Sequence, residues 1–562
     1  MESRTLRYRL CLWLVVLALL AGCVPLQPAP APQAVSDASP GAQTDDMAHT
    51  LPEELGTVDF PVSCTAEAQA EFNRGVALLH SFWFPPAVMS FKRVTQLDPT
   101  CAMAHWGMAM SMLGIPWSPT PEEALADGQV AVDEAQTVGG ETPREQAYID
   151  AVAAFYQDAD TLDHQTRASA YEEAMAQLVQ DYPEDTEAQA FYALALLITA
   201  SPTDKSYTNQ LRAQEILEPL FAAQPNHPGV AHYLIHSNDY PPLATGGLDA
   251  AYAYAPIAPA APHVQHMPSH IFTRLGHWQE SIDSNRASVE AARAALPADH
   301  PAGTAVEPAL HAMDYMMYGY LQLGQDDAAT ALLDEINAFE QAVGGLGSAY
   351  ALAAMPARYV LERGAWDEAT TLALHPPEFA WERFPQAEAI LVFARGLGAA
   401  RAGDVAAARQ ELEHLQALHA SLVEANNAYW ADQVAIQSTM LEAWIALVEE
   451  QPDEALALAQ EAAALEDLTE KHPVTPGLVK PAYELLGEML LELDQPAEAL
   501  HAFETLLEDD PHRFRGVYGA ARAAELAGDM AKAETYYTEL VDLAAGAHGE
   551  RPEVAQAQAF LE

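Results

Sequence analysis

The chain has 562 residues, half of them hydrophobic, and carries 80 acidic against 26 basic side chains for a formal net charge of −54. Such a hydrophobic content over that length builds a large core, which excludes a wholly disordered protein. The acidic surplus repels nucleic acid and anionic lipid, and five lysines (Lys92, Lys205, Lys471, Lys480, Lys532) make no basic patch, so nucleic acid is not an expected partner.

The N-terminus reads MESRTLRYRL CLWLVVLALL AGC. Arg4, Arg7 and Arg9 form a positive n-region, and Leu12 to Leu20 an apolar run too short to span a bilayer as a mature anchor. The small residues Ala21 and Gly22 before Cys23 resemble the lipobox of bacterial lipoproteins, which implies a signal peptide over 1–23 and lipidation of Cys23. An ordinary signal peptide or an anchor helix is the alternative, and either exports the rest. From Val24 to residue 59 the composition is rich in Pro, Ala, Gln and Ser (PLQPAPAPQ), which predicts a disordered tether. Cys11 leaves with the signal and Cys23 takes the lipid, so Cys64 and Cys101 remain as an even pair in an oxidising compartment. A disulfide between them is expected, with two buried thiols as the alternative.

Beyond residue 60 the chain repeats itself. Gly75 is followed by Ala87, Phe91 and Pro99 at offsets of 12, 16 and 24, and Gly487 by Ala499, Phe503 and Pro511 at the same offsets. Turn glycines Gly276, Gly324, Gly364, Gly403 and Gly528 are each followed five residues later by Ser281, Ala329, Ala369, Ala408 and Ala533. This pattern resembles the tetratricopeptide repeat, a 34-residue helix-turn-helix. With Ala and Leu abundant and no sustained alternation, it predicts an all-α, right-handed α-solenoid of roughly a dozen repeats. We divide it into 60–363, which bears the distinctive motifs, and 364–562, which holds generic repeats.

The histidines fall into that register. HYLIH places His232 and His236 seven and eleven residues after Pro225; HMPSH places His266 and His270 seven and eleven after Pro259, 34 residues on. Both H-x3-H pairs thus sit at equivalent places on the first helices of consecutive repeats, the face that lines the concave groove in the family it resembles. Neutral imidazole accepts Zn, Cu, Fe or Ni, and four rings from adjacent helices can surround one ion. His232, His236, His266 and His270 are the expected metal ligands. His263, His311, Asp239 and Asp314 share the stripe as additional ligands or supports. Tyr318 and Arg358 follow in the same slots as candidates to bind an anionic ligand. Alternatives weighed for the four paired histidines are a polar groove for an organic or peptide ligand and a purely structural role. His227 and His277 read as structural. Met267, Met313, Met316 and Met317 at helical spacing read as core rather than copper ligands.

AHWGMAMSMLG, HYLIH, APHVQHMPSHIFTRLGHW and HAMDYMMYGYLQLG resemble segments of a group of secreted bacterial tetratricopeptide proteins. That resemblance implies the fold and ligand binding on the concave face, without an activity. Two functions follow: a lipid-anchored protein at the periplasmic or outer face that binds a protein or small anionic ligand in its groove, with a metal site; or a metal-dependent enzyme, with Asp239 or Asp314 as general base and Arg358 orienting substrate. On the lipoprotein reading, Cys23→Ser releases the protein from the membrane or leaves unprocessed precursor, seen by fractionation; retention with normal processing would contradict it.

Overall fold

The repeat register rests on one contact made at both ends of the chain. In the computed structural model, which describes residues 54–547 and 551–562, the Phe91 ring lies against the backbones of Gly75 and Gly107, and the Phe503 ring against Gly487 and Gly519. A Cβ at any of the four would overlap the ring. Ala87 and Ala499, buried beside them, supply the other small surface. Close approach of two helices calls for small residues where an aromatic ring must fit between them.

Helices follow almost without interruption. Ala66–His80 with Phe84–Leu97 makes the first hairpin, and Ala102–Met112 with Glu122–Val138 the second. Similar hairpins follow, for about a dozen in all, to the helix Pro552–Leu561. Each helix packs mainly on its neighbours in sequence, as a solenoid requires. Thr142 and Glu145 form a capping box, and Asp163, Asp185, Asp404 and Asp529 cap other helices through their side chains. The five turn glycines all have positive φ, from 62° to 83°, where a side chain would be strained. One short element departs from all-helix: Thr304–Val306 pairs in parallel with Gln341–Val343.

The expected signal peptide, Cys23 and the expected tether up to residue 53 lie outside the described residues. The end of the expected tether is not tether-like. Leu55 and Val58 are buried, and the Thr57 amide donates to Asn226 O at 2.9 Å. Cys64 and Cys101 are disulfide-bonded, with Cα atoms 5.2 Å apart. Among the described residues no helix is long and apolar enough to cross a membrane.

Two hydrophobic clusters share the chain, one from Leu55 to Phe272 and the other from Ile282 to Ala557, so the core changes nearer residue 280 than 363. The C-terminal repeats then fold back onto the middle ones. Trp278 Nε1 donates to His512 O at 3.0 Å, Arg513 donates to Tyr318 Oη at 2.9 Å, and the Phe514 amide donates to Gln322 Oε1 at 2.8 Å. The return brings a helix-free strap, residues 467–481, against the middle helices. Gly107→Ala displaces the Phe91 ring and should cost about 1–3 kcal/mol. Phe91→Ala leaves a cavity costing about 3–5 kcal/mol. In the Phe91→Ala background the glycine substitution becomes nearly silent, because the ring it strikes is gone; additive losses in denaturation midpoint would contradict this contact.

A candidate metal centre of two histidine triads

Proline starts each helix that carries the motif. Pro228 opens Pro228–Asn238, Pro262 opens Pro262–His266 and Pro268 opens Pro268–Arg274. HMPSH therefore straddles a junction between two short helices. Met267 at the junction keeps φ −55° and ψ −37°, so the α-helical direction continues and His266 and His270 still face the same way.

The six histidines form two groups. His232, His236 and His263 make one triad, and His266, His270 and His311 the other, each bringing one ring nitrogen per residue within 4.8 Å of the others. His236 Nε2 and His263 Nε2 both lie 3.1 Å from His232 Nε2. His266 Nε2 and His270 Nε2 are 2.9 Å apart, and the His266 and His311 ring centroids 4.4 Å. The geometry divides the four expected histidines between the two triads. Each H-x3-H pair supplies two members of its own triad, and His263 and His311 complete them.

The far side of each ring sets its tautomer. His232 Nδ1 faces His80 O at 2.7 Å, His270 Nδ1 faces Asp239 Oδ2 at 2.8 Å, and His266 Nδ1 faces Asn285 Oδ1 at 2.6 Å. Asn285 is held in that orientation because its Nδ2 donates to Ser281 O at 2.7 Å. All three partners are acceptors, so each Nδ1 carries the hydrogen and each neutral ring turns a bare Nε2 lone pair inward. His266 and His270 therefore oppose two lone pairs at 2.9 Å. The single lone pair of His232 faces two neighbours, and it cannot accept two linear bonds. Protonation does not relieve this. Burial, followed by the other imidazoles, pushes His232, His236, His263, His266 and His311 well below the ordinary 6.5. Burial also lowers His270, although Asp239 pulls it part of the way back.

A third cluster shows the contrast. His80 Nε2 and His227 Nε2 donate to the two oxygens of Glu187 at 3.0 and 2.9 Å, and His80 Nδ1 lies 2.8 Å from Tyr233 Oη. Burial alone would raise the Glu187 carboxyl, but hydrogen bonds from His227 and His80 outweigh it and bring it down to about 2. Every polar atom there has a partner, so this cluster is closed by protons.

Asp239 lies outside both triads. It accepts from His270, from Arg274 Nε at 2.9 Å and from Lys471 Nζ at 3.1 Å. Asp314 is not with the histidines as expected. It is buried against Arg358, whose Nε donates to it at 2.9 Å. Arg358 in turn holds the strap, donating to Thr475 Oγ1 at 2.8 Å and Gly477 O at 2.7 Å. Tyr318 accepts from Arg513 and its ring backs Gly477. The expected ligand clamp of Arg358 and Tyr318 is therefore occupied by the protein's own chain. Met267, Met313 and Met317 are fully buried and Met316 nearly so, with core hydrophobics.

Sequence reasoning missed Tyr315, whose ring meets His266 edge-on at 4.7 Å and whose hydroxyl donates to Thr475 O at 3.2 Å. Its place four residues after His311, on the same helix face, was the available signal. It also missed Asn285, Lys471 and the strap, which has no repeat period to place it.

No family model matches the chain, and no curated protein matches it. Solved structures similar to it include the human IFIT1 dimer with m7Gppp-AAAA, at 12% identity over 90% of this chain and 100% of that one with a TM-score of 0.33. The P58(IPK) TPR domain matches at 12% identity over 83% and 99%, with a TM-score of 0.21.

The lowered histidines give the metal-free protein a defined pH response. Unfolded, they protonate near 6.5; folded, they stay neutral to lower pH, so the unfolded chain binds more protons between the two values. Stability is fully present above about 6.5 and falls with pH, by up to about 1.4 kcal/mol per pH unit for each such histidine. Melting of the chelated protein at about pH 7.5 and about pH 5.5 checks this, and equal midpoints would contradict it.

Proposed function

We propose that the protein is an exported, lipid-anchored solenoid that carries a transition-metal centre at its histidine triads and takes a small ligand there. The observation that carries the reading is the opposition of the His266 and His270 lone pairs, each fixed by a hydrogen bond on its far side. Neutral lone pairs held together in a buried site repel unless a cation lies between them. Ligating histidines characteristically donate their other nitrogen to a carbonyl or carboxylate, as His232 and His270 do here. The donors are all imidazole, which suits Zn, Cu, Fe or Ni. All six histidines also lie in the segments that resemble the secreted bacterial tetratricopeptide group.

A folded protein partner fits the centre poorly, because residues 467–481 already cover it. Tyr315 donates to the strap above His266 and His270, and Lys471 reaches Asp239. A small pocket beside His236, lined by Trp117, Asp239, Tyr240 and Lys471, leaves room for a ligand of few atoms. The enzymatic alternative draws on the triads themselves, since three protein ligands leave a coordination position open. It loses the general bases expected for it. Asp239 and Asp314 are both engaged by arginine.

Full-length protein purified without a chelating tag should contain Zn, Cu, Fe or Ni, or take one up after chelation, and metal should raise its melting temperature. A His232→Ala/His266→Ala double variant should lose most of that metal. Protein that holds none of the four metals and melts identically with and without chelator would end this reading.

A further inference from the structure

We propose that the two triads form one dinuclear copper centre, in which two copper ions, each held by three imidazoles, share a small bridging anion. This rests on the metal-centre reading above and specifies the number of ions, their identity and the ligand they take.

The number comes from how the donors divide. Within the first triad the His232 ring lies 4.8 Å from His236 and 4.9 Å from His263, with 6.5 Å between His236 and His263. Between triads, His236 lies 5.8 Å from His270, and His263 lies 6.0 Å from His266. In the second triad His266 lies 4.9 Å from His270 and 4.4 Å from His311, so rings of different triads are only slightly further apart than rings of the same one. The motif enforces this. His263 and His266 stand three residues apart on one short helix, yet they serve different triads. Ions about 2.0–2.1 Å from their nitrogens would sit side by side, within reach of one bridging atom or diatomic.

The identity comes from the donor set and its size. Six neutral nitrogens and no carboxylate or thiolate suit copper or zinc better than iron, whose non-haem sites use a carboxylate. The two cysteines described are tied up in a disulfide. Between copper and zinc, a nitrogen site binds Cu2+ the more tightly.

The bridging anion comes from charge. Two divalent ions among neutral imidazoles carry four positive charges in a buried site. The nearby acids do not compensate them. Asp239 is already shared by Arg274 and Lys471, Asp314 is paired with Arg358, and Glu187 accepts from His80 and His227. An exogenous anion of a few atoms, hydroxide at rest, completes the open positions and lowers the net charge.

Loading the full-length, metal-free chain with Cu(II) and reading total copper beside the electron paramagnetic resonance signal tests this. The expected result is two coppers per chain with the signal largely lost, because bridged Cu(II) ions couple their spins. Loading with copper and zinc together should restore the signal in the wild-type protein, since a copper beside a zinc has no partner spin; this arm needs no variant. His263→Ala and His311→Ala remove one member of each triad at partly exposed positions. Each should lower copper to one per chain and restore a full signal from that copper, with the fold checked by circular dichroism. Two coppers that are both visible, one copper per chain in the wild type, or zinc bound in preference to copper would overturn the dinuclear copper centre while leaving a metal centre. Failure to bind any of the four metals would overturn both.

Discussion

The Asp239 carboxylate is where the halves of this molecule meet. The residue ends the helix that carries His232 and His236, its backbone N–H donating to His236 O, and its carboxylate accepts from His270 Nδ1, Arg274 Nε and Lys471 Nζ at 2.8, 2.9 and 3.1 Å. Burial alone would raise such a group; the cations Lys471 and Arg274 and the bond from His270 hold it well below the usual carboxylate range. One charge thereby does two things. It fixes the tautomer that points His270 Nε2 at its neighbours, and it anchors a strap that arrives from 232 residues further along the chain.

That arrangement links the solenoid's global path to local chemistry. A string of hairpins buries its faces pairwise and has no need for distant contacts. Here the C-terminal repeats turn back far enough for Arg513 to reach Tyr318 and Arg551 to reach Asp326. The strap between helices Pro452–Glu466 and Ala482–Glu492 then lies over the histidines. It removes solvent, and desolvation is the leading cause of the low histidine pKa values. Bare imidazole nitrogens near neutral pH are a consequence of the fold closing on itself.

The three clusters differ in where their hydrogen-bond acceptors lie. All three are largely buried, but each triad holds three histidines and the third cluster holds two with Glu187. Around Glu187 the carboxylate accepts both protons and the cluster is complete; in the two triads the acceptors of His232, His266 and His270 lie on the outer side of the rings and their inner nitrogens are left with lone pairs. A carboxylate between imidazoles takes up their protons, whereas an acceptor outside them turns a lone pair inward.

The sequence alone was enough for the hairpin repeat and the six histidines, because both depend on short-range periodicity. Phe91 and Phe503 each need glycine on the facing helices, so the Gly–Ala–Phe offsets recur wherever the contact does. H-x3-H puts two rings on one helix face whatever lies around it. Only the tertiary structure decided how those rings group, what holds them and what covers them. His263 and His266 face different triads because adjoining helices offer partners on both sides, and no spacing rule encodes that choice. Arg358, Tyr318 and Asp314 matched the groove-lining slots, yet Arg358 and Tyr318 meet the strap, which returns from over 100 residues away, and Asp314 pairs with Arg358. A segment with no period, placed by hydrogen bonds to remote side chains, leaves no mark in local sequence from which its position could be read.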